Sequence, residues 1–217
     1  MDADIPRRPA RVSREEARSA KERAKVFSAA LKVEAKASGW RYANGGVFRQ
    51  HGDWFVNVLP SLLWERGVKA TSFAKPMAVD PVFWRIVGLP QNEKLPLSFR
   101  ANGAWVLRPP FSEAFIALDE RESERLAREF VEWSTDRLTE VSASSVETLL
   151  AELEGLGARR KGYVALEICL HLLRDDSASA EEICRTLTTK ETGGFVTGSR
   201  TFIDQAKDWL ATMRERP

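Results

Sequence analysis

Arg7, Arg11, Arg14, Arg18, Lys21, Lys25, Lys32 and Lys36 recur at steps of three, four or seven residues. On a helix turning about 100° per residue, this spacing aligns them as one cationic stripe. Their chemistry is recognition. Guanidinium groups fit carboxylates and phosphates in planar bidentate contacts, and ammonium groups act as compact point charges. The stripe therefore suits an acidic protein surface or a nucleic-acid backbone, where neutralising phosphates makes affinity fall with salt. A solvated helix face steadied by Glu15 and Glu22 would carry the same pattern.

Acid–base chemistry has one candidate cluster, Arg49, His51 and Asp53, the only place where a histidine lies within two residues of both an acid and a base. An enzyme would use His51 as general acid or base and Asp53 to orient it. Gly52 makes this stretch a tight turn, and neighbours in a turn seldom converge on one substrate. His171 lies in the apolar run Ile168 to Leu173, where a buried or boundary histidine is the simpler reading. With two histidines and two dispersed cysteines, no zinc-binding spacing is present. Gly193-Gly194 and Gly198-Ser199 precede a helical pattern but lack the lysine and the preceding strand of a phosphate loop. No Gly-x-Ser-x-Gly occurs either. The expectation is a non-enzymatic protein-interaction module, accessory or immunity- or inhibitor-like, rather than an enzyme, without cofactor or metal. Its partner would be an acidic protein surface or a nucleic acid, or a second copy in a homodimer.

Seven tryptophans, six of them at 40, 54, 64, 84, 105 and 133, are expected mainly in the core. Trp54, Trp64 and Trp84 lie near turns or prolines and are the first candidates for exposure. Residues 1 to 118 carry 19 Lys/Arg against 11 Asp/Glu, a charge of +8, whereas residues 119 to 217 carry 14 against 20, a charge of −6. The basic half can attract phosphates or an acidic surface, or neutralise its own acidic half. No apolar stretch reaches the roughly 18 residues that cross a bilayer, and the start lacks the apolar core of a secretory signal. A bacterial-type cytoplasmic protein is expected, with Cys169 and Cys184 as reduced, buried thiols.

The elements that must position these residues follow from local signals. Residues 1–12, with Pro6 and Pro9, read as a flexible arm. Ser13 with Glu16 is a capping box, so a helix should start there and run about 39 Å to Gly39, with Ala17, Ala20, Ala24, Phe27, Leu31 and Ala35 as its apolar face. Asn44-Gly45 marks a hairpin between strands at Trp40 to Ala43 and Gly46 to Gln50. Further strands are predicted at Trp54 to Trp64, Val68 to Lys75, Leu95 to Arg100, Ala104 to Leu107 across an Asn102-Gly103 turn, and Phe111 to Leu118. Pro60 should fall at an edge, bulge or break.

Asp80 and Pro81 should open a short helix over Val82 to Val87. Asp119 with Glu122, Ser144 with Glu147, and Ser179 with Glu182 repeat the capping-box spacing before helical patterns. Val164 to Leu173 should be the buried centre of the helical part, and Ser199 should open a last helix packed through Phe202, Ala206, Trp209 and Met213. The predicted fold is α+β: a long N-terminal helix packed on an antiparallel β-meander over 13–118, then a mostly helical part over 119–217, as two subdomains or one continuous unit.

Overall fold

The computed structural model describes residues 13–63, 67–102, 107, 109–117, 123–187 and 195–214. The N-terminal arm with Arg7 and Arg11, Trp64, Trp105, the Asn102-Gly103 turn, the Asp119 to Glu122 cap and Gly193-Gly194 lie outside these residues in whole or in part. The α+β architecture is as predicted: a long helix, a five-stranded antiparallel meander and a mostly helical C-terminal part.

Helix α1 spans Arg14–Ala37, and Ser13 and Glu16 close a reciprocal capping box at its start. It ends in a Schellman motif. Gly39, at φ 73°, donates to the Lys36 carbonyl, and Trp40 donates to the Ala35 carbonyl at 2.8 Å. Strands β1 (Arg41–Ala43), β2 (Gly46–His51), β3 (Trp54–Leu63) and β4 (Gly67–Pro76) then run back and forth in sequence order. Pro60 lies beyond Val58, the last residue of β3 paired with β2, so its missing donor falls at an edge.

After β4 come α2 (Val79–Ile86), a short 3-10 helix (Pro90–Lys94) and α3 (Leu97–Asn102), before β5 (Pro110–Ala117) pairs with β4. The strand predicted over Leu95 to Arg100 is thus largely a helix. Leu97 and Ala101 stand one helical turn apart and together cover Phe48 and Phe55 on the sheet. The alternation of Leu95, Leu97 and Phe99 imitated a strand because Phe99 packs the other way, onto Trp84 at 5.7 Å.

The helical part comprises α4 (Ser123–Ser142), α5 (Val146–Gly155), a 3-10 helix (Gly157–Tyr163), α6 (Val164–Leu173) and α7 (Ser177–Thr186). A small hairpin, β6 (Val196–Thr197) and β7 (Arg200–Thr201), leads into α8 (Phe202–Arg214). Helix α4 packs across β2 to β5, over Val56, Val58, Val68 and Ala70, and α1 lies on α4 and β1. Phe27 of α1 meets Phe130 of α4 edge to face at 6.2 Å, and Trp40 donates its indole N–H to Thr135 at 3.1 Å. The rest of the helical part docks through α2: Phe83 stacks on Phe202 at 5.2 Å and meets Phe195 edge to face. One continuous core runs from Phe27 through the sheet to Ile168 and Leu210.

Several predicted details shift. Trp54 and Trp84 are both buried in the main core. Met213 is exposed, and Phe202, Ile203, Ala206 and Leu210 form the packed face of α8. Asp80 does not cap α2, since its carboxylate faces inward to Lys75 and Arg100. The caps of α5 and α7 are Ser145 and Asp176, and Thr201 rather than Ser199 bonds the first turn of α8.

Four helix starts share one electrostatic device. Glu16, Glu147, Asp176 and Asp204 are all held below the ordinary carboxylate range. The main cause is a hydrogen bond from the Ser13 side chain for Glu16, the backbone N–H of Glu147 for itself, the Ser179 side chain for Asp176 and the Thr201 side chain for Asp204. Because each folded-state pKa lies below the unfolded one, the stabilisation is present above the unfolded value and lost as pH falls through the folded value. The melting temperature should be flat from pH 7 to about 5 and drop below about pH 4. Circular dichroism melts would show this, with a shallower drop for Asp176→Ala; melting that is independent of pH down to about 3 would contradict it.

Candidate interaction surface

Helix α1 presents three faces, set by its periodicity. Phe27, Leu31 and Ala35 are buried against the body. About 110° around the helix from that line, Arg14, Arg18, Lys21, Lys25, Lys32 and Lys36 occupy an arc roughly 60° wide. All six are exposed. A third line, Val26, Ala30, Val33 and Ala37, follows at the four-three-four spacing of a helix-pairing seam. Val26 is 49% and Val33 68% exposed, in a protein that buries most of its large apolar side chains.

Among the described residues the stripe is little neutralised from within. Lys25 lies 3.8 Å from Glu22, with both side chains mostly in water, where such a pair is worth little. The Lys32 ammonium sits 5.1 Å from the Tyr42 ring centroid. Glu34 faces away from the stripe, 3.8 Å from Arg128 of α4. Among the described residues, Arg14, Arg18, Lys21 and Lys36 have no carboxylate within ion-pair distance. The whole segment from Ser13 to Ser19 is exposed, so the first turns of α1 stand clear of the other described residues.

Where α1 meets the body, a cleft of about 300 Å³ opens between α1, the β3–β4 end of the sheet and the start of α4. Ala24, Phe27, Leu62 and Leu126 line it, and Lys21 and Arg23 border it. Arg23 also donates to the Ser19 hydroxyl at 3.0 Å.

Arg49, His51 and Asp53 do not converge. His51 and Asp53 are exposed at the β2–β3 turn, and Arg49 reaches back to the Ser38 carbonyl at 3.3 Å. No hydrogen bond among the described residues joins the three side chains. His171 is bonded to Asp176 at 3.0 Å, at the start of α7. Cys169 and Cys184 are free and buried; burial pushes both thiols up, Cys184 to about 11, so neither is a thiolate at neutral pH. Among the described residues no group of three or more His, Cys, Asp or Glu is placed to hold a metal ion, and no helix is long and apolar enough to cross a membrane.

Sequence reasoning missed the exposed Val26–Val33 seam, although its heptad spacing was there to be counted. It also missed the cleft and the buried trio of Lys75, Asp80 and Arg100, for which no local pattern exists. The chain matches no protein-family model, no curated protein and no solved structure.

Proposed function

We propose that this protein acts by association, as an accessory or inhibitor-like partner in a reducing compartment, and that α1 docks onto an acidic surface of another protein. The observation that carries this reading is the placement of six exposed cations beside the exposed Val26–Val33 seam. A mixed edge of charge and apolar surface suits a protein partner better than a phosphate backbone, which offers carboxylate-like charge but no apolar face for the valines. Pairing α1 with α1 of a second copy would set like charges together, so the partner is acidic.

The variant Arg14→Glu/Arg18→Glu/Lys21→Glu/Lys25→Glu tests this reading. The parent should carry a stoichiometric acidic protein through purification from its native cell. That partner, once isolated, should bind the variant at least tenfold more weakly, a change of about 1.4 kcal/mol. Equal binding by parent and variant would remove α1 from the interface. Retention of the parent on a short DNA duplex at about 50 mM salt, lost in the variant, would replace the acidic protein with nucleic acid.

A further inference from the structure

We infer that the cleft at the base of α1 is an anchor pocket: it takes one large apolar side chain from an acidic segment of the partner, whose carboxylates pair with Lys21 and Arg23. This rests on the association reading above and specifies the partner's chemistry. Ala24 and Phe27 continue the apolar line of α1, and here none of the described residues closes over it. Leu62 and Leu126 form the opposite wall and leave about 300 Å³ of space. That volume is at the bottom of the range for small-molecule sites and fits a single tryptophan, phenylalanine or leucine rather than a packed helix. Leu62 is exposed, so the cleft opens to the surface.

Charge decides what flanks the anchor. Lys21 and Arg23 stand on opposite sides of the Ala24–Phe27 line, about 160° apart across it, so each borders one lip. A buried aromatic ringed by ion pairs at the rim is the arrangement in which few residues carry most of the binding energy. Lys21 belongs both to this rim and to the stripe. The pocket is therefore continuous with the cationic face, and one acidic segment can engage both.

Two blocked peptides serve as probes, Asp-Glu-Trp-Glu-Asp and Asp-Glu-Ala-Glu-Asp, titrated into the full chain with backbone amide shifts as readout. The tryptophan peptide should bind at least tenfold more tightly, moving resonances of Ala24, Phe27 and Leu126. Ala24→Phe, which fills the cleft, and Leu62→Asp, which places a carboxylate on the far wall, should each abolish that advantage while melting like the parent. If both peptides bind alike through Arg14 to Lys25 alone, the pocket is not an anchor site although the acidic-partner reading stands. If neither peptide moves any resonance of α1, both readings fall together.

Discussion

Asp80→Ala is expected to destabilise the protein by about 3–5 kcal/mol, the usual result of deleting one partner from a buried ion pair. Asp80 is 1% exposed and Lys75 2%, and the Asp80 carboxylate accepts from Lys75 through one oxygen and from Arg100 through the other. Lys75 comes from β4, Asp80 from α2 and Arg100 from α3, so one carboxylate ties two helices to the sheet. Removing it takes the carboxylate from two cations in a site from which water is largely excluded, and the contacts that Arg100 keeps to the Leu95 and Glu93 carbonyls and Lys75 to the Phe55 ring offset less of their desolvation. Urea unfolding at pH 7 should show the midpoint falling by about 1–2.5 M at a slope of roughly 2–3 kcal/mol per M. Lys75→Met leaves Asp80 its bond to Arg100 and should cost clearly less. A loss below about 1 kcal/mol for Asp80→Ala would show that the trio is not structurally important.

The second large effect is at Phe83. Its ring is fully buried on α2 and meets Trp84 at 4.9 Å, Phe195 at 5.0 Å and Phe202 at 5.2 Å. Phe83→Ala removes the ring on which α8 stacks and opens a cavity between α2 and the C-terminal helices, at a cost of about 3–5 kcal/mol. The melting temperature should drop by roughly 6–20 °C for a chain of this length. Phe83→Leu, which keeps much of the volume, should cost less than half as much. Because one core joins the sheet to the helical part, the variant should still unfold in a single transition, with circular dichroism and tryptophan fluorescence coincident. Two separated transitions would mean that the helical part folds as an independent unit.

Much of the fold was legible because its signals act over three or four residues. Ser13 and Glu16 started α1, Gly39 stopped it, Asn44-Gly45 turned the first hairpin, and the apolar run Val164 to Leu173 coincides with α6. The stripe was legible in the same way, since helical phase alone aligns Arg14 through Lys36 on one side. Misreadings arose where a local pattern had two solutions. Leu97, Phe99 and Ala101 fit a strand by alternation and a helix by the four-residue step, and packing on Phe48, Phe55 and Trp84 selected the helix. Asp80 before Pro81 resembles a helix cap, yet its carboxylate turns toward Lys75 and Arg100.

The order of residues alone determined most element types, though not the α3 helix, together with the ends of α1 and the alignment of its cations, because backbone hydrogen bonds and helical phase are short-range. Tertiary packing decided which side chains lost their water. It buried Trp54 and Trp84, left Val26 and Val33 exposed, and closed Lys75, Asp80 and Arg100 around one another. It also brought Phe27, Leu62 and Leu126 to the walls of one cleft. Those outcomes depend on contacts between segments tens of residues apart, where desolvation and the space left between packed elements, rather than local geometry, set the energy.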